Sequence, residues 1–368
     1  MSTKKINLSK IGIGGGAFSG FYDKAEGDIP ANTIKAAFDN GINWIDTSPY
    51  YGNSESIIGD ALRKLNYDRS KYYVMTKFGR YGYHKAEFNY SKQNVKKSVL
   101  SSIQKLGCGY LDFILCHDVE FVSIEQVVDE ALPELFELKK SGAVKNVGVS
   151  GYPLDSLLKI AEIMNERGTP LDVVLSYSHV NIHNKHGAEI VPTLRTLNIK
   201  YAFAASPLSM GLLRQEPSPD WHPASDDLKH AVEKCKEIAK KYQFKLQEIA
   251  SPAAFFIAYP YSIKNSNSNA SHDSTSESRP KKQDSTGLIC FDTEDENEID
   301  GFLFGMLGES QVFEAIESFN FAKCVYGVPS GNAVDSDKID RFKKALGEIS
   351  IVLEPFKDYS WPSPPADA

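Results

Sequence analysis

Apolar runs six to eight residues long alternate along most of the chain with longer amphipathic stretches. The runs are KIGIGG (10–15), INWIDTS (42–48), YYVMTKF (72–78), LDFILCH (111–117), KNVGVS (145–150), LDVVLSYS (171–178), KYAFAAS (200–206) and GFLFGM (301–306). They are close to continuously apolar rather than strictly alternating, which predicts strands buried on both faces, as in a parallel sheet. Helical periodicity fills the intervals. Ile34, Ala37 and Phe38 recur at i, i+3, i+4, and Ile57, Ile58, Ala61, Leu62 and Leu65 form one stripe. The stretches SKQNVKKSVLSSIQKL, SIEQVVDEALPELFELKK and DSLLKIAEIMNE repeat the pattern, several of them opening on Ser, Asp or Asn as N-caps do. Eight strands alternating with helices predict α/β architecture, a single (β/α)8 TIM barrel spanning residues 1–368.

Two segments depart from this rhythm. Residues 265–292 include NSNSNASHDSTSESRPKKQDST, which is polar and almost free of apolar side chains. Such a composition buries too little surface to offset ordering and predicts a disordered insert before the eighth strand. The tail after Glu354 carries four prolines and Trp361. It predicts an irregular segment folded over one mouth of the barrel.

The stretch IGIGGGAFSG (11–20) holds five glycines. Gly12, Gly14 and Ala17 fit the dinucleotide spacing G-x-G-x-x-G/A, but that device needs a helix opening directly after it. The chain continues FSGFYDKAEGDIP, with two more glycines, a proline and no 3.6-residue repeat. The glycines therefore predict close backbone approach to something other than a pyrophosphate.

Composition narrows the class of protein. A net charge of −7 gives no electrostatic footprint for nucleic acid. Five cysteines without a CxxC pair argue against a disulfide framework or structural zinc and fit a reducing compartment. No apolar run reaches membrane-spanning length, and MSTKKINLSK lacks the core of a secretory signal. The expectation is a cytoplasmic protein, a monomer or weak oligomer, with no nucleic-acid or membrane partner.

In a barrel, chemistry sits at the C-terminal ends of the strands. Asp46 ends the second run, with Tyr51 following in DTSPYYG; Lys77 ends the third and His117 the fourth. Four such groups in one pocket make chemical sense. A phenol with a reference pKa of about 10 is a poor base near neutrality, and an adjacent ammonium stabilises its phenolate. A carboxylate holds the ammonium, and an imidazole hydrogen-bonds the reacting oxygen. The alternative for Lys77 and His117 is a structural ion pair. Placement on successive strand ends favours the chemical reading.

These motifs resemble the aldo-keto reductase family over essentially the whole barrel: D-x(4)-Y followed by Lys and His on the next two strands, Gly52 and Glu55 in Y-G-x-x-E, GVSGY, SPLSMGLL and GMLGESQ. Within the family, LSKIGIGGGAF, the VSGYPL and LSYSHVNI runs and ASPLSMGLL are most similar to its sugar-oxidising branch. The resemblance implies Tyr51 as acid/base, Lys77 and Asp46 as its tuning pair and His117 as substrate orienter. It implies a hairpin-like segment at the N-terminus and a nicotinamide site lined by Ser150, Ser176, Ser206, Leu208, Gly211, Gly305, Met306, Gln311 and Glu314. It also implies a substrate pocket involving Gly15, Phe18, Tyr81 and His179, with Gly14, Gly15 and Gly16 beside the nicotinamide. Three positions depart from the family pattern: Gly151 for Asn, Ser176 for Gln and Ala205 for the ring-stacking Tyr. The implied activity is NAD-dependent oxidation of an aldose (D-arabinose, L-galactose or L-fucose) at C1 to the aldonolactone, which in fungi feeds erythroascorbate synthesis.

FGMLGESQVFEA has no basic residue and contains Glu309 and Glu314, an unfavourable setting for a 2′-phosphate. NAD is therefore expected over NADP, unless Lys281 or Lys282 of the insert reaches the site. The alternatives are a broad NADPH-dependent carbonyl reductase and a cofactor-binding regulatory subunit without turnover. His179, His183 and His186 have a zinc-like spacing, but they fall in a predicted loop without a carboxylate partner, so no metal is expected. Cys116 should point away from His117 and pack. Phe18, Tyr22, Tyr81, Phe121 and Trp361 either line a sugar pocket or cover the core. KHAVEKCKEIAKKYQFK (229–245) is expected as the outer face of a barrel helix.

Overall fold

The computed structural model describes residues 5–21, 24–265, 289–291, 295–325 and 335–362. Eight parallel strands close into a barrel in sequence order: β1 (Ile11–Gly14), β2 (Trp44–Asp46), β3 (Tyr73–Phe78), β4 (Leu111–His117), β5 (Val144–Gly151), β6 (Val173–Tyr177), β7 (Tyr201–Ala205) and β8 (Gly301–Gly305). Seven of the eight apolar runs contain one of them whole, and β5 extends one residue beyond KNVGVS at each end. Most of the disordered-insert expectation, together with Tyr22, Lys281 and Lys282, lies outside the described residues.

Helices follow the stripes that predicted them. The helix Ser54–Leu65 carries the Ile57-to-Leu65 stripe and stops at Asn66, which adopts the left-handed conformation at φ 53°. The stretch at 123–140 opens on a wider turn, Gln126–Ala131, and becomes α-helical at Leu132. Pro133 sits at the start of that α segment, where a missing N–H is tolerated. The basic stretch near 229–245 forms the helix Asp226–Lys241, its N-terminus capped by the Ser225 side chain. The hairpin-like segment is corrected: residues 5–10 form no strand pair. They cross the barrel floor, where Tyr201 Oη accepts from Ile6 N at 2.9 Å and Ser9 bonds Asn43.

Strand alternation divides the core in two. Outward residues such as Ile45, Val74, Ile114 and Val147 pack under the helices. Inward residues Trp44, Met75, Phe113, Leu115, Val173, Leu175, Phe203 and Leu303, closed below by Leu8, fill the barrel. Trp44 explains part of the glycine pattern. A Cβ on Gly12 would lie 2.3 Å from the indole and one on Gly301 2.6 Å, so both positions yield their space to the ring. Cys116 faces outward and is fully buried, and burial pushes its thiol pKa up. Packed side chains plug the lower barrel and leave its upper, C-terminal mouth for chemistry.

Candidate active site

The rule that sends Trp44 inward also sends Asp46, Lys77 and His117 inward, one layer higher. All three are at most 4% exposed. Tyr51 arrives from the loop after β2. Its N–H donates to Ser48 O at 3.0 Å, and Gly52 takes the turn at φ 56°. Lys77 Nζ donates to Asp46 Oδ2 at 2.5 Å, to Thr47 O at 3.0 Å and to Tyr51 Oη at 3.4 Å. It also stands 4.8 Å from the Tyr51 ring centroid. The His117 ring meets the Tyr51 ring edge-on at 5.7 Å. Glu55 supports the arrangement from behind, accepting from Thr76 Oγ1 at 2.8 Å.

Burial shapes the charges. It pushes the Asp46 carboxyl upward, and the Lys77 ammonium pulls against that shift. His117 is held well below its usual range, first by burial and then by Lys77 and Arg80, so it is neutral at physiological pH. Its Nδ1 lies 2.9 Å from Ser48 Oγ and its Nε2 3.5 Å from Asp118 Oδ2. A carboxylate facing Nε2 favours the tautomer with the proton there, and Nδ1 then accepts from the Ser48 hydroxyl. His117 therefore presents an N–H donor toward the cavity.

That cavity measures about 1050 Å3 and runs from the four groups to the helices Leu246–Ala258 and Glu309–Val325. It lies at the top of the range for small-molecule pockets, roughly 300–1,000 Å3, and suits an elongated cofactor together with a small substrate. Beside Tyr51 its wall is bare backbone or small side chains: Gly14, Gly16, Ala205 and Gly305. A Cβ added at Gly16 would sit 3.9 Å from the Tyr51 ring. The donor set and this flat slot fit a planar ring laid against the phenol. Among the expected cofactor residues, Ser150, Ser206, Leu208, Gly211, Gly305, Gln311 and Glu314 line the cavity.

Two expected cofactor residues do not. Ser176 faces outward, because the inward parity of β6 belongs to Val173, Leu175 and Tyr177; Tyr177 takes the wall position. Met306 is fully buried beneath the wall, with Gly305 and Leu307 lining instead. All four expected substrate-pocket residues are also displaced. Gly15 is tucked against Asp46 O, where a Cβ would lie at 2.5 Å, and Phe18 packs in the outer core. Tyr81 turns away to donate to Ser98 Oγ at 2.8 Å. His179 stands behind Tyr152, ring centroids 4.6 Å apart. The histidines of the zinc-like spacing go separate ways: His179 approaches Ser360, His183 approaches Ser209, and His186 is half-exposed. No group of three metal-ligating side chains occurs among the described residues.

Of the weighed aromatics, Phe121 and Trp361 line the cavity. Trp361 stacks on Tyr152 at 5.2 Å and its N–H donates to Tyr152 Oη at 3.1 Å, so the C-terminal tail forms part of the wall. Sequence reasoning missed Phe21, Tyr50, Arg80, Tyr83, Asp118, Tyr152 and Tyr177, all lining. Strand parity was available for Tyr177 from the inward layer of β6. Asp118 had no such signal, because its φ of 53° breaks the alternation.

Residues 10–255 match the model of the Aldo/keto reductase family. L-galactose dehydrogenase of Arabidopsis thaliana is 31% identical over 364 residues, 97% of this chain and 94% of that protein. D-arabinose 1-dehydrogenase of Saccharomyces cerevisiae is 38% identical over 264 residues, 68% of this chain and 78% of that protein. A glycerol dehydrogenase structure from Gluconobacter oxydans shares the fold at a TM-score of 0.57 and 20% identity, covering 99% of this chain and 97% of that one. An inward Lys–Asp–Tyr–His cluster at the C-terminal mouth of an eight-stranded barrel thus coincides with similarity along nearly the whole sequence, and the chain belongs to the aldo/keto reductase family.

Proposed function

We propose that this oxidoreductase oxidises an aldose at C1 to the aldonolactone with NAD as acceptor. The observation that carries the reading is the Lys77 ammonium, 2.5 Å from Asp46 and 3.4 Å from the Tyr51 hydroxyl. A neighbouring cation favours the phenolate, so Tyr51 takes the proton of the anomeric hydroxyl as the C1–H bond breaks. Neutral His117 donates from Nε2 to the same oxygen and orients it, without competing for the proton. The bound nicotinamide supplies the C4 position that accepts the hydride. The reverse sequence, with Tyr51 as acid, reduces a carbonyl.

The sugar substrate is supported by two relatives named as sugar dehydrogenases and by polar groups beside the tetrad. NAD is supported by carboxylates at the far end of the cavity: Glu248, Glu314 and Glu317 line it, and Glu216 pairs with Arg214 at 3.2 Å. Lys245, Lys338 and the Glu216-paired Arg214 also line the cavity and are, among the described residues at this end, the cations a 2′-phosphate could use. The test is a steady-state panel of D-arabinose, L-galactose and L-fucose with both oxidised cofactors, followed by absorbance of the reduced cofactor. Lactone formation with a kcat/KM favouring NAD+ supports the proposal. Preference for NADP+ removes the cofactor assignment. Turnover of simple aldehydes alone replaces the sugar with the carbonyl-reductase reading.

A further inference from the structure

Beside His117 the cavity holds a charge pair that hydride transfer to a simple carbonyl does not require. Asp118 follows His117 directly, so strand alternation would send it behind the wall. A φ of 53° turns it back, and both residues line the mouth. Asp tolerates this left-handed conformation better than most residues, at a cost on the order of 1 kcal/mol. Arg80 Nη1 donates to Asp118 Oδ2 at 2.5 Å. Arg80 is itself anchored, since its Nη2 donates to Tyr50 Oη at 3.0 Å and its guanidinium lies 3.9 Å over the Tyr50 ring. Burial, with Asp118 nearby, pushes Glu120 up to about 8. Burial pushes the Asp118 carboxyl up as well, and the Arg80 guanidinium in direct contact pulls it back toward the anion.

A carboxylate offers about four acceptor sites, more than the hydrogen bond from Arg80 uses. It stands 3.5 Å from the imidazole nitrogen that faces the reacting oxygen. With the reacting oxygen held at His117 Nε2, the hydroxyl on the adjacent carbon would be the sugar group next to this carboxylate. We propose that Asp118, held by Arg80, is a specificity-determining residue that accepts a hydrogen bond from the hydroxyl on the carbon adjacent to the reacting one. The inference rests on the sugar-dehydrogenase reading and names the feature that separates a polyol substrate from a plain aldehyde.

The experiment is a cycle between enzyme and substrate. The kcat/KM values for D-arabinose and its 2-deoxy analogue (2-deoxy-D-erythro-pentose) are measured with the full-length enzyme and with Asp118→Asn. The wild type should prefer the hydroxylated sugar by about 10- to 100-fold, the range for a hydrogen bond to a charged group. In Asp118→Asn the preference should shrink to less than about 3-fold, mainly through loss on D-arabinose. Arg80→Met, which leaves the carboxylate unanchored, should shrink it as well and provides the second variant if Asp118→Asn does not fold. A wild-type preference below about 10-fold overturns the inference while leaving the sugar reading intact. So does a preference that persists while both substrates slow equally, which would make Asp118 a positioning residue for His117. Failure of the wild type to oxidise either pentose with either cofactor overturns the sugar reading and this inference together.

Discussion

Replacing Lys77 by Met removes the cation and keeps a chain of similar length. At 3.4 Å, an ammonium stabilises a phenolate by about 5 kcal/mol at an effective dielectric near 20. Asp46 opposes it. Its carboxylate lies 2.5 Å from the same nitrogen, so it can be no further than about 6 Å from the phenol oxygen and repels it by at least about 3 kcal/mol. The pair together therefore favours the Tyr51 phenolate by at most about 2 kcal/mol. Without the cation, burial acts on Asp46 unopposed and favours its protonated form, so the net stabilisation of the phenolate is lost. The base limb of the kcat/KM profile for sugar oxidation should move to higher pH. Below both pKa values the rate should fall about 30-fold from this term alone, and further from the lost hydrogen bond. Removing one partner of a buried pair costs about 3–5 kcal/mol of stability, so the double variant Asp46→Asn/Lys77→Met is the control. It should regain stability and keep the displaced profile. A pH profile that stays in place in either variant, with the fold verified by thermal melting, refutes the electrostatic argument.

Other consequences test the scaffold. Arg69 donates to Asp112 at 2.6 Å beneath the barrel, and Arg69→Met should destabilise the protein by about 3 kcal/mol in denaturant titration, with little change in KM. Gly12→Ala drives a methyl to 2.3 Å from Trp44 and should cost about 1–3 kcal/mol, read as a lower Tm. His183 and His179 are each depressed to about 4, chiefly by burial. Their unfolded forms bind protons first, so stability is intact above pH 6.5 and is lost as pH falls toward 4, by about 4 kcal/mol for the two at pH 5. His183→Asn should flatten that slope in pH-dependent melting. Tyr177→Ala should raise KM for cofactor or sugar at least several-fold, whereas Ser176→Ala, on the outward face, should leave both near their wild-type values.

The strands were legible because burial on both faces leaves a continuous apolar run, as in LDFILCH, which is β4 residue for residue. Asp46, Lys77 and His117 stood out because each is a polar residue ending such a run. Other positions failed for identifiable reasons. The motif resemblance points to Ser176, but one residue along a strand is the difference between the cavity and the helix layer, and Tyr177 takes the wall position. Phe18 and Tyr81 lie in short turns whose direction no periodicity dictates. Arg80 and Asp118 meet across 38 residues because a single left-handed residue reverses a side chain, and Asp in that conformation carries no mark in the sequence. Trp361 reaches the cavity through stacking on Tyr152, 209 residues away, a contact no local pattern encodes.

The central claim, that the Tyr51 oxygen moves the proton, is tested most directly by Tyr51→Phe, which removes one oxygen and keeps the ring. Sugar oxidation and carbonyl reduction should both fall by about 100- to 10,000-fold in kcat, while NADH fluorescence still reports cofactor binding close to wild type. Turnover within about tenfold of wild type in either direction would contradict the account.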